Sequence, residues 1–167
     1  MTAYELLDTA GYISYFKQVA EEANFIENFF YTYDQMQEKA KTLRKGTIMV
    51  LEPYSNQLSE NQNDNVLAMR KGLFVIIKPY AGMQNIPAVQ AECELLAYKI
   101  IGRLKRDSRL HILRAPISNY SGSETPPVAP QYVGYGFEFS FEAPVNRFMK
   151  FEEEDWTITE SEEEPNE

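Results

Sequence analysis

Phe137, Phe139 and Phe141 alternate with Glu138, Ser140 and Glu142, a period of two that puts three rings on one face of an extended strand and polar groups on the other. A chain with this segment is committed to a sheet. Upstream, Phe74, Val75, Ile76 and Ile77 are consecutive and apolar, which predicts a central strand covered on both faces by helices.

The remaining elements follow from periodicity and punctuation. Tyr12, Phe16, Val19, Ala20 and Ala23 recur at spacings of three and four and predict an amphipathic helix. A second helix is expected from Thr32, where Gln35 three residues on completes a capping box. Lys39, Lys41, Arg44 and Lys45 sit toward its dipole-negative end, and Gly46 stops it. The segment Asn24–Tyr31 between them reads either as a connection or as more of the first helix. Thr47–Tyr54 is β-branched and apolar, and Pro53 ends it or confines it to an edge. The polar run Ser55–Asn65 reads as a long hairpin loop, leading through Val66, Leu67 and Met69 to the strand Gly72–Tyr80.

Pro87 opens the strongest helix, with Val89, Cys93, Leu96, Ile100 and Leu104 on one face and a second apolar row including Leu95 and Ile101. Glu92 and Glu94 come early and Lys99, Arg103, Lys105 and Arg106 late, as the helix macrodipole favours. A strand is expected at Arg109–Arg114, and Ala115–Gly134, with Pro116, Pro126, Pro127 and Pro130, reads as a long functional loop. The expected fold is α+β, with a four-stranded, mostly antiparallel sheet, helices packed on it and the order α-β-β-α-β-β. Its two long hairpin loops could lie near the same end of the sheet.

Length and charge narrow the organisation. The 167 residues are 44% hydrophobic and 25% charged, which suits one domain with a real core. That domain is expected over residues 1–151. The net charge of −9 is local: from Glu152 onward there are nine acidic residues and no Lys or Arg, and the preceding body carries 16 acidic and 16 basic residues. Residues 152–167 read as a solvated, flexible acidic tail, or as a tail that docks on a basic partner through Trp156. Met1–Ala10 carries Glu5 and Asp8 and lacks a basic targeting region. No apolar run approaches the ~20 residues of a membrane span, so no membrane partner is expected, and synthesis in the cytoplasm is.

Catalytic machinery finds little support. One histidine, His111, and one cysteine, Cys93, are too few for a multi-imidazole or multi-thiolate metal site. His111 reads as a strand residue without an oriented acid-base partner, and Cys93 as a small buried hydrophobe. Glu21 with Glu22, and Glu92 with Glu94, read as solvated helix faces. Phosphate-loop, HExxH and EF-hand patterns are missing from the sequence. The basic clusters Lys39–Lys45 and Arg103–Arg114 read better as helix C-terminal charge than as a nucleic-acid contact. No enzyme activity, cofactor or metal is expected. Tyrosine is abundant instead, with eleven copies. Tyr54, Tyr80, Tyr120, Tyr132 and Tyr135 are expected in loops or at strand ends, either partly buried or forming a partner surface. Asn56, Asn61 and Asp64 of the polar loop, and Trp156 of the tail, complete the candidate contacts.

The residues Phe30-Tyr31-x-x-Asp34, Leu51-Glu52-x-Tyr54, Asp64-Asn65-x-x-x-x-Arg70-x-Gly72-x-Phe74 and Gly134-Tyr135-Gly136-Phe137-x-Phe139 resemble those of proteins from phages and prophages of Bacteroidetes. The layout over residues 12–150 is similar to the tail terminator and tail-completion proteins of long-tailed phages. That resemblance implies a virion protein of the neck or tail, with no catalytic residues. It would form a homo-oligomeric ring of six subunits that joins the tail tube to the head connector and passes DNA through its lumen without sequence readout. A soluble binding module or regulator outside the virion, using the Pro-rich loop or the acidic tail, is the alternative.

Overall fold

The computed structural model describes residues 6, 8–40, 42–43, 45–60, 66–113, 115–128, 131–145 and 149. Helix α1 (Thr9–Glu22) leads to strand β1 (Asn28–Tyr31), helix α2 (Tyr33–Ala40), and strands β2 (Ile48–Glu60) and β3 (Val66–Pro79). A single 3-10 turn at Met83–Asn85 then enters helix α3 (Ile86–Arg109), followed by strands β4 (Ile117–Val128) and β5 (Tyr132–Pro144). The fold is α+β, and its sheet is mixed and five-stranded in the order β1-β2-β3-β5-β4. Strand β1 runs parallel to β2, and all other neighbours are antiparallel.

The central strand splits its side chains between two cores. Phe74 and Ile76 join Phe137, Phe139 and Phe141 under α1 and α3, whereas Val75 and Ile77 point the other way and pack with Ile48, Val50 and Met36 of α2. Helix α1 is started by Asp8, whose carboxylate accepts the Gly11 N–H at 2.7 Å and satisfies one orphan donor. Its inner face, Tyr12, Tyr15, Phe16, Val19 and Ala20, is buried. Phe16 stacks on Phe139 with centroids 5.2 Å apart, and Tyr12 on Phe141 at 5.8 Å. Gly72 makes this stack possible: a Cβ there would lie 2.5 Å from Phe139 Cζ and 2.6 Å from the Tyr12 hydroxyl. Helix α3 contributes Cys93, Ala97, Ile100 and Leu104 to the same core.

Six expectations are corrected. The sheet has a fifth strand, β1, in the segment left open between the first two helices, so the α-β-β-α-β-β order gains a strand between α1 and α2. Four residues are too few to display a period; β1 exists because its backbone pairs with β2, Phe30 opposite Val50. Second, the polar run after Tyr54 is not a loop as far as Glu60. It continues β2 against β3 from Ser55 opposite Lys71 to Glu60 opposite Val66. Backbone hydrogen bonds, which composition does not reveal, carry that stretch.

Third, the strand expected at Arg109–Arg114 is not found over its described residues, 109–113. Helix α3 continues to Arg109, with Asp107 buried facing inward, and the chain then turns as the Asp107 carbonyl accepts the N–H groups of Ile112 and Leu113 at 2.9 and 3.2 Å. Fourth, much of the Pro-rich segment is the edge strand β4. Pro126 and Pro127 are tolerated where the register shifts between Thr125 and Val128, since an edge strand has backbone donors with no ladder partner to lose. Fifth, the two hairpin connections lie at opposite ends of the sheet. Leu67 is opposite Pro144 and Pro79 opposite Tyr132, so antiparallel pairing of β3 with β5 separates the turns. The second helix also ends at Ala40, well before Gly46, although Thr32 does accept the Gln35 N–H at 3.4 Å.

Candidate interaction surfaces

Helix α2 spans only eight residues and covers only the end of its sheet face that holds Val75 and Ile77. Toward the other end of β3, on the same face, Met69 and Lys71 are exposed. Their cross-strand neighbours are Gln57 and Ser55 of β2 and Glu142 and Ser140 of β5. These six side chains line a shallow hollow of about 700 Å³, which Ser118 of β4 closes at the edge. It is a mixed polar surface on a rigid sheet. Beside it β4 presents a long outer edge with no neighbouring strand among the described residues, and such a row of backbone donors and acceptors is a template for pairing with another chain.

On the opposite face of the same end, a second hollow of about 320 Å³ is lined by Asp8, Tyr54, Asn56, Leu58, Arg70 and Met149. The fold therefore brings together two of the predicted contacts, Tyr54 and Asn56. The Arg70 guanidinium lies 4.6 Å from the Tyr54 ring centroid, and its Nη1 donates to the Leu6 carbonyl at 2.7 Å. Arg70 is buried, and its Nε has no hydrogen-bond partner among the described residues. Stacking on an aromatic face is the usual means by which a weakly hydrated guanidinium is accommodated away from water.

The other predicted contacts scatter. Tyr80 follows β3, and its N–H donates to the Gln131 carbonyl at 2.9 Å, at the end of the sheet away from Tyr54. Tyr132 is only 3% exposed, and its hydroxyl donates to the Leu43 carbonyl at 2.7 Å, so its ring is used inside the fold. Tyr120 stands on β4, half-buried, and donates to the Ile117 carbonyl at 3.3 Å; burial pushes its phenol up to about 12. Tyr135 is half-buried against Phe137 at 5.4 Å. Asn61, Asp64 and Trp156 lie outside the described residues, as does the acidic segment 152–167.

The groups weighed for chemistry are engaged otherwise. Cys93 is fully buried, and desolvation pushes its thiol up to about 12, which removes the thiolate needed for reactivity near neutral pH. His111 sits exposed in the turn after α3 with φ of 54°. Glu21 pairs with Lys17, Glu22 with Arg103, Glu92 with Lys78, and Glu94 accepts from the Tyr98 hydroxyl. Among the described residues no group of three His, Cys, Asp or Glu side chains could hold a metal ion. Asp107, fully buried, is structural: Oδ2 accepts from Arg103 Nε at 2.7 Å and from the Tyr15 hydroxyl at 3.0 Å. No helix is long and apolar enough to cross a membrane among the described residues.

Sequence reasoning found the Tyr54 and Asn56 corner but missed the bare sheet face. Half of its signal was legible, because Ser140 and Glu142 alternate with the buried rings. Met69 and Lys71 gave none, as their exposure depends on where α2 stops. Neither a scan against protein-family models nor a search of the curated proteins finds a match to this chain.

Proposed function

We propose that this chain is a structural subunit of a phage neck or tail, similar to tail terminators, and that it works by assembly without catalysing a reaction. The observation that supports this most is that the sheet outruns its helical cover. β2 and β3 stay paired down to Glu60 and Val66, although the α2 side of that stretch buries no core of its own. A monomer gains little from a rigid sheet extension of this kind; a subunit that repeats one contact around an axis needs it.

In this reading, the bare face and the β4 edge of one copy receive a different surface of the next. Heterologous contacts of that type close into a ring when the rotation per subunit divides a full turn. Six copies, as the resemblance implies, would surround a lumen that passes DNA without reading its sequence. One rim would meet the tail tube and the other the head connector, in a virion assembled in the bacterial host cytoplasm.

The test has two arms. The mass of the purified chain is measured in solution, alone and with tail-tube protein from the same phage, and purified virions are examined for the polypeptide. A ring, formed alone or on the tube, and incorporation into virions support the reading. A monomer that binds no virion component, together with virions lacking the chain, overturns it.

A further inference from the structure

Arg70 is a charge that the described fold does not balance. It stands on the face of β3 that carries Phe74, opposite Asn56 of β2 and Phe141 of β5, and is only 5% exposed. Its guanidinium lies 4.6 Å from the Tyr54 ring centroid and 5.9 Å from that of Phe141. Among the described residues it makes one hydrogen bond, from Nη1 to the Leu6 carbonyl; its Nε has no acceptor and no carboxylate pairs with it. Arg103 is the contrast, a more exposed guanidinium that pairs with both Glu22 and Asp107. Rings and one carbonyl replace water around a buried cation only in part, and a charge taken out of water calls for a counter-charge.

The hollow of about 320 Å³ that Arg70 lines shows the chemistry of that counter-charge. Asp8 lines it too, but its Oδ1 is committed to the Gly11 N–H at the start of α1, and it makes no ion pair with Arg70. Thr9, Tyr54 and Asn56 add hydroxyl and amide groups that can donate to an anion, with Thr9 Oγ1 and Tyr54 Oη 3.4 Å apart. The remaining lining includes two exposed apolar side chains, Leu58 at 53% and Met149 at 52%. A carboxylate with an apolar group next to it matches both parts. Three residues after Met149 the sequence reads Glu152-Glu153-Glu154-Asp155-Trp156, and three residues of extended chain span about 10 Å.

We propose that the acidic run Glu152–Asp155 of the same chain sets a carboxylate against Arg70 in this hollow, with Trp156 covering Leu58 and Met149. The guanidinium fork suits a carboxylate and binds it through charge-assisted hydrogen bonds. Four acidic residues in a row give the run several registers in which one of them meets Arg70. Because Met149 already lies at the hollow, the contact is intramolecular and does not depend on protein concentration. It joins the two ends of the chain, since the same Arg70 holds the Leu6 carbonyl. Nothing in it rests on ring assembly.

Trp156 is the one tryptophan of the sequence, so its fluorescence in the full chain reports on this segment directly. The expected emission is blue-shifted and protected from quenching by acrylamide, at every protein concentration. Neutralising the run with Glu152→Gln, Glu153→Gln, Glu154→Gln and Asp155→Asn together shifts the emission to that of a solvated tryptophan and lowers the melting temperature by about 5 °C. Arg70→Gln exposes Trp156 in the same way, and adding the neutral run to it changes the emission no further, as expected of groups in contact. The neutral run leaves Arg70 and the core untouched, so it decides the matter even where Arg70→Gln does not fold. A neutral run with the parent's emission and melting temperature overturns the proposal, as does a Trp156 already solvated in the parent. Protection lost on dilution also overturns it, since the occupant is then a second copy. If acetate or sulfate raises the parent's melting temperature while the neutral run leaves it unchanged, the hollow belongs to a free anion and the proposal falls.

Discussion

The two ends of β3 share a strand, a side-chain parity and hydrogen-bonded neighbours, yet they live in different environments. At one end Leu73, Val75 and Ile77 lie beneath α2; at the other, on the same face, Met69 and Lys71 meet solvent. The first end is fixed by burial and the second by backbone pairing with β2 and β5. Extended structure here needs only one of the two supports. Where burial is missing, the proposed assembly has a surface to use.

The sharpest way to probe this division is to truncate one ring of the α1 and α3 core and one exposed side chain of the bare end, three rungs away on the other face of the sheet. Phe139→Ala removes a ring that contacts Phe16, Phe74 and Tyr12 and is expected to cost about 3–5 kcal/mol. Met69→Ala, 47% exposed in the parent, should stay within about 0.5 kcal/mol. Chemical denaturation of the two variants measures both; equal losses would mean that the bare end is load-carrying after all. Next comes Asp107→Ala, which removes the buried carboxylate that accepts from the Tyr15 hydroxyl and pairs with Arg103. A loss of about 1.5–3 kcal/mol is expected, read from the same denaturation curves.

Alkaline pH provides a smaller, graded effect, to which the phenols buried in the α1 and α3 core contribute most. Burial raises the phenols of Tyr12 and Tyr15 well above the usual tyrosine range, with Asp107 adding to the effect on Tyr15. Below the unfolded value near 10 both states are neutral and the stability is fully present. As pH rises past it, the unfolded chain releases protons that the folded chain retains, and stability falls until the folded values are reached. Tyr15→Phe should flatten that decline in denaturation midpoints measured from pH 8 to 11, and an unaltered slope would refute the assignment. The least effect on stability is expected of Lys71→Ser combined with Met69→Ser. Melting should barely move, but ring formation on tail-tube protein should fail if the proposed surface is right. Hydrogen exchange supplies a further check, with amides of Val75–Ile77 expected to exchange far more slowly than those of Leu67–Met69.

Legibility followed the same division. The rings at 137, 139 and 141, the apolar run at 74–77 and the inner faces of α1 and α3 were readable, because burial imposes a period on side chains. Leu95 was read as part of an apolar row, but it faces outward. A helix stripe shows apolar side chains at helical spacing, not which of them the fold covers. Of the predicted contacts, Tyr54 and Asn56 meet at one hollow, whereas Tyr132 is tied to Leu43 and lost to the interior. Tyrosine can serve either environment, so its presence alone did not choose between them.

The amino-acid sequence by itself determined that a sheet is present, which strand is central, where α1 and α3 turn their apolar sides, and that negative charge gathers after residue 151. Those features are written in side-chain type and spacing, which act locally. Only the tertiary structure decided that β1 and β4 are strands, that β2 continues through polar residues, that the hairpin turns lie at opposite ends, and that part of the sheet stays bare. Each of these depends on backbone groups meeting across the chain, and backbone groups are nearly alike at every residue, so side-chain identity does not record which of them pair.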